Sequence, residues 1–249
     1  MKVIAAYNIF NGLELFHKSL EYTRPYVDEV VFIYQTVSYR GNANPNVLDH
    51  IEQYPDIKAF EFKPDLSFNP KENELNKQNM MINICRDRGA SHMILIDCDH
   101  IYEPDKFKAA IDKSKQYDVT FTGMLTYYKY PTWQLDPPEN YFMPFLIKLY
   151  NTTQFMRQNN YPVHVDPTLR VNTCGNYYVF PMDEFLLHHY SMVRADINEK
   201  FQNSPSQGYG YWQQHGYVDE WFNYDLELNP GVKYFHGRKI KVVDNYFGI

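Results

Sequence analysis

Short apolar runs recur through the first half of the chain, continuous at 3–7, 30–34 and 93–96 and interrupted by polar residues or glycine at 57–62 and 119–125. All five are predicted strands, and the apolar continuity of 30–34 implies burial on both faces. Between them lie stretches with helical spacing. Residues 13–22 set Leu13, Phe16 and Leu20 on one face before Pro25 discourages continuation, and 47–53 form a shorter segment. A longer helix is predicted over 72–88, with Gly89 as its stop, and another over 104–116, opened by Pro104. Strand and helix alternate throughout, which predicts an α/β fold: a Rossmann-type, mostly parallel central sheet flanked by helices.

Regularity ends near residue 126. From 126 to 169 the chain is rich in Tyr, Pro, Trp and Asn, and no period emerges. Strands are predicted again at 177–180 and 186–190, a helix at 195–202, and a hairpin or two edge strands at 232–235 and 240–243. We expect a single domain, 1–249, with a nucleotide-binding half (1–125) and an irregular acceptor-binding half (126–249). A chain of this length can bury a sizeable core on its own.

Composition narrows the function classes. A net charge of −6 leaves little basic surface with which to grip long nucleic acid. The three cysteines form neither a CxxC pair nor an even set, so no zinc knuckle or disulfide framework is indicated and a reducing compartment is the simpler expectation. No apolar run reaches the length of a membrane span, and a cytoplasmic protein is expected. The 23 Tyr, 17 Phe and 3 Trp offer flat faces for sugars or bases, although most such rings serve packing.

The candidate chemistry centres on Asp97-Cys98-Asp99. An Asp-x-Asp string arises about once by chance in such a chain, so its position is what counts. It follows four apolar residues, placing both carboxylates at the carboxyl end of a buried strand, where open α/β sheets bind ligands. Alternation puts the two side chains on one side and Cys98 on the other. Paired carboxylates suit Mg2+ or Mn2+ shared with substrate phosphates. The plainer alternative is that Asp97 caps a turn and Asp99 is solvated.

The stretch 76–104, NKQNMMINICRDRGASHMILIDCDHIYEP, resembles the helix, strand, DxD and following loop of GT-A-fold glycosyltransferases. His188-His189-Tyr190-Ser191 with the segment 196–204, DINEKFQNS, is similar to a His-x-Ser strand and Lys-containing helix in bacterial and viral members and in the β-1,4-mannosyl-glycoprotein N-acetylglucosaminyltransferase family. The resemblance implies a metal-dependent transfer of sugar from a nucleoside-diphosphate sugar, a UDP-sugar favoured, to a hydroxyl acceptor on a glycan, lipid, protein or modified nucleic acid. It implies Asp99 as direct Mn2+ or Mg2+ ligand, Asp97 between metal and ribose, and His189 as a third ligand, with His188 left open because neighbours on a strand face opposite ways.

The nucleotide is expected over the end of the first strand, beside Tyr7 and Asn8, with Lys77 near ribose or phosphate or simply solvated. Asp183 and Glu184 are the first candidates for a catalytic base and Asp219-Glu220 the second. Tyr127 and Trp133 are candidate acceptor platforms. Two other classes compete. A sugar-phosphate nucleotidyltransferase shares the acidic strand end, but only Asn11-Gly12 stands in for its phosphate loop; a non-catalytic carbohydrate-binding module would use the aromatic residues alone.

Overall fold

The structure, a computed structural model, describes residues 1–224 and 237–249. Its central layer joins the predicted strands in a parallel block. β1 (Val3–Ile9) lies between β2 (Glu29–Tyr34) and β4 (His92–Asp97), and β3 (Lys58–Glu61) extends the β2 edge. Helices α1 (Leu13–Thr23), α2 (Asn46–Glu52), α3 (Pro70–Asp87) and α4 (Pro104–Ser114) provide the crossovers. β1, β2 and β4 are almost wholly buried because crossover helices cover both sheet faces.

Boundaries follow local chemistry. α3 starts two residues before its predicted position because Asn69 accepts from the Glu72 amide while the Glu72 carboxylate takes the Asn69 N–H, a reciprocal cap strengthened by Pro70. Gly89 ends this helix in the left-handed region, at φ 75°.

The unpatterned segment holds two strands. β8 (Met143–Lys148) inserts antiparallel between β4 and β6 (Val119–Tyr128), giving the block a mixed edge. β7 (Trp133–Asp136) pairs with the end of β6 and, on its other side, with β11 (Lys239–Val242). Of the expected terminal hairpin, 232–235 lies outside the described residues, while β11 forms at 239–242 and pairs with β7. β9 (Tyr177–Val179) and β10 (Leu186–Met192) run parallel to β6.

β10 also pairs antiparallel with β5 (His100–Tyr102), a three-residue strand too short to show in the apolar pattern. This register sets His189 directly opposite His100. A second apolar cluster, with Phe201, Trp212 and Trp221, packs α5 (Ile197–Asn203), α6 (Tyr209–Gln214) and α7 (Tyr217–Asn223) beyond the β6 end.

Candidate functional site

A cleft of about 560 Å³ opens at the carboxyl ends of β1, β2 and β4. Its walls include Asn8, Gln35, Asp97 and Asp99 from this side and Asp166, His189, Lys200 and Arg238 from the other. β4 stops at Asp97, so Asp99 stands on the turn before β5 and strand alternation does not extend to it. Cys98 reaches the cleft wall as well.

The two aspartates occupy different surroundings. Asp97 is half-buried; its Oδ1 accepts from Asn8 Nδ2 at 2.8 Å, and its backbone N–H donates to His100 Nδ1 at 3.3 Å. Asp99 is buried. Arg194 donates to its Oδ2, where Lys200 Nζ also lies at 3.4 Å, while His189 Nε2 and His100 Nε2 stand 3.7 and 3.9 Å from Oδ1. Burial pushes the Asp99 carboxyl up, but the Lys200 and Arg194 cations overcome it and hold the group well below the usual carboxylate range.

Arg194 is placed by the chain around it. Its guanidinium donates to the carbonyls of Tyr190 and Val193 and packs over Gly12, where an added Cβ would come within 3.0 Å of Nη2. Gly12 has φ 73°, so the position also requires a backbone that glycine adopts without strain. The Asp99 backbone carbonyl accepts from Tyr190 N–H at 2.9 Å, tying the DxD turn to β10.

Asp99, His100 and His189 each present a ligand atom within 4.8 Å of the others. The two imidazoles meet edge to face at 5.0 Å, as cross-strand partners should. They are not equivalent. His100 Nδ1 accepts the Asp97 amide, which leaves Nε2 as its N–H, a donor toward the two carboxylates. His189 is held neutral by burial, against the pull of Asp99, and its buried Nδ1 has no partner among the described residues. The Oδ1 side of Asp99 with neutral His189 therefore fits a hard or borderline divalent cation, while the Oδ2 side is already occupied by protein cations.

β10 separates the neighbouring histidines. His189 lines the cleft, while His188 turns away, bonding Tyr127 Oη at 2.7 Å and stacking on Tyr246. Of the residues expected at the site, Asn8, Asp97, Asp99 and His189 converge there.

Others do not, each for a visible reason. Tyr7 points into the core, its hydroxyl on Ser19 Oγ at 3.1 Å, because alternation along β1 sends it to the face opposite Asn8. Lys77 is buried below the cleft and donates to the Ile9 carbonyl at 3.1 Å; burial pushes its ammonium down to about 7. Tyr127 stacks on Tyr190 at 4.2 Å inside a separate apolar cluster, and Trp133 packs between Tyr130 and Tyr224. Asp183 and Glu184 precede β10, on the far side of its first residue from His189; Glu184 pairs with Lys113 at 2.6 Å and Tyr178 at 2.9 Å. Glu220, of the second candidate pair, accepts from Tyr128 Oη at 3.2 Å and does not line the cleft, nor does Asp219.

Sequence reading missed His100, Arg194, Gln35, Asp166 and the Glu139–Arg238 pair. His100 directly follows the DxD, and Arg194 lies between the two downstream motifs, so adjacency was the available signal. Glu139 accepts from Arg238 through both carboxylate oxygens and from Thr126 Oγ1 at 3.1 Å, closing the wall opposite β1. Nothing local in the unpatterned segment marks that pairing across 99 residues.

No protein-family model and no curated protein matches the chain. Several solved structures share its overall path. The S. aureus TarS fragment 1–349 is 13% identical over 92% of this chain and 73% of its own, with a TM-score of 0.46. The same fragment in complex with UDP-GlcNAc gives 12% identity over 92% and 74%, at 0.44. The mannosyltransferase PcManGT from Pyrobaculum calidifontis, in complex with GDP-Man and Mn2+, gives 14% over 85% and 59%, at 0.45. Likenesses at this level bear on no individual residue of the site. Among the described residues no helix is long and apolar enough to cross a membrane.

Proposed function

We propose that the chain binds a nucleoside-diphosphate sugar across the carboxyl ends of β1 and β4 and transfers the sugar to a hydroxyl acceptor. The carrying observation is the convergence of Asp97, Asp99 and His189 with Lys200 in one cleft at that sheet end. Asp99 and His189, with Asp97 beside them, would hold Mn2+ or Mg2+, which when bound compensates the charge of a departing diphosphate. Lys200, on the same wall, supplies further positive charge for the phosphates. Asn8 and His100 fix the orientation of the Asp97 carboxylate.

The acceptor hydroxyl needs a group to receive its proton if configuration inverts. Among the carboxylates lining the cleft on that side, Glu139 is committed to Arg238, and Glu74 is pushed up to about 8, chiefly by burial and further by Asp166 and Asp97. Asp166 is the remaining one. Its Oδ1 is fixed by the Thr168 amide at 2.9 Å and hydroxyl at 2.8 Å, and we assign it, in place of Asp183 and Glu184, as the base. Thermal-shift measurements with a panel of nucleotide-sugars, with and without Mn2+, test the reading, because a ligand specific to the native state raises Tm by mass action. A panel in which no nucleoside-diphosphate sugar stabilises the chain would sink it.

A further inference from the structure

We infer that Gln35 selects the nucleobase, accepting the single imide N–H of a uracil-type ring through Oε1; the inference rests on the nucleotide-sugar reading above. Gln35 follows β2 at the carboxyl end of the parallel block, beside the end of β1, and is 1% exposed. Its backbone N–H donates to the Ile9 carbonyl at 3.2 Å, which pins the residue to the neighbouring strand end. Its side-chain Nε2 donates to the Val37 carbonyl at 2.9 Å. That bond fixes the amide orientation, since the flipped group would set oxygen against oxygen.

Oε1 is therefore the free end. It is the one buried side-chain oxygen without a partner among the described residues lining the cleft. A buried acceptor left unpaired costs free energy that a matched ligand restores, which makes such an atom a discriminator. Phe10 and Tyr39 line the same cleft.

Ser38, three residues on and also lining the cleft, offers a donor. Its Oγ accepts the Arg40 and Asn42 amides at 3.2 and 3.0 Å, so its own hydroxyl hydrogen is left to donate. An acceptor and a donor lining one cleft are the two groups that an N–H next to a carbonyl calls for. Uracil presents one N–H flanked by two carbonyls, and a lone acceptor satisfies it fully. Guanine presents two neighbouring N–H groups, and cytosine and adenine each present an amino group with two hydrogens, so each would leave one donor unpaired against this wall.

The test compares UDP with N3-methyl-UDP by calorimetric titration in the presence of Mn2+, on the wild-type chain and on Gln35→Leu, with Tm recorded to confirm folding. The expected result is a loss on the order of ten- to a hundredfold on N3-methylation for the wild type. That gap should vanish in Gln35→Leu, whose affinity for UDP itself falls to the N3-methyl level. CDP, ADP and GDP should each bind the wild type at least about tenfold more weakly than UDP. Equal wild-type affinity for UDP and N3-methyl-UDP overturns the inference while leaving the transferase reading standing, as does a gap that persists in Gln35→Leu. Tight binding of another nucleoside diphosphate with none of UDP does the same. Absence of binding by all four nucleoside diphosphates removes both.

Discussion

Two walls face each other across the cleft, and they are built in different ways. The wall from β1, β2 and β4 is made of strand ends inside a parallel block, so each side chain is aimed by the strand that carries it: Asn8 outward and Tyr7 inward, on neighbouring residues. The wall from the second half is aimed by side-chain bonds instead. Arg194 is set by Asp99 and two carbonyls, Glu139 by Arg238 and Thr126, and Asp166 by Thr168. A strand end tolerates the loss of one side chain because the backbone ladder remains, whereas a wall held by buried charge loses its geometry with either partner.

The sharpest probe of that difference is Asp99, where the walls meet. Asp99→Ala leaves Arg194 and Lys200 without their carboxylate in a buried setting, and we expect a loss of about 3–5 kcal/mol in urea unfolding along with loss of donor-induced stabilisation. Asp97→Ala, two residues earlier and half-buried, should cost only about 1 kcal/mol yet still abolish the Mn2+-dependent thermal shift. If the two variants proved equally destabilising, the contrast between them would not hold.

Glu139→Ala should lower stability by about 2 kcal/mol, because the partly buried Arg238 is left unpaired; denaturant titration measures it. A cost near zero would mean that this wall does not depend on the pair.

On the strand-built side, Lys77→Met should act through pH. The folded-state pKa of Lys77 is pushed down to about 7 from its ordinary 10.5, first by burial. Between those values the unfolded chain binds more protons than the native one, so stability rises with pH across that window. Replacing Lys77 with Met removes this contribution: the variant should be more stable than wild type by about 2 kcal/mol at pH 6, with the advantage gone above pH 10. Melting curves at the two pH values would show it. A destabilised variant at pH 6 would instead make the ammonium a structural asset.

The smallest effect is expected from Asp183→Asn and Glu184→Gln. Both lie outside the cleft, and Glu184 forms a part-exposed pair with Lys113, so stability should change by less than about 0.5 kcal/mol and transfer rates should stay at the wild-type level. A large fall in turnover would return them to the catalytic role that sequence position indicated.

The strands of the parallel block, their helices and the acidic strand end were legible because each is a local pattern: an apolar run, a helical face, a cap, two carboxylates after four apolar residues. His189 was legible as one of a pair, and only the register of β10 against β5 chose it, by setting it opposite His100. β8 was hidden because an antiparallel strand between β4 and β6 is defined by its neighbours, and its sequence lies in a segment without any period.

The amino-acid sequence alone thus determined the α/β framework and the position of the Asp97–Asp99 turn at its edge, since burial and periodicity are properties of neighbouring residues. Only the tertiary structure decided what that turn touches. Lys200, Asp166 and the Glu139–Arg238 pair reach the cleft, and Arg194 reaches Asp99 itself, from positions 40 to 139 residues beyond Asp99. The pairing of charges over such distances depends on which loops the fold brings together, and no local pattern records that choice.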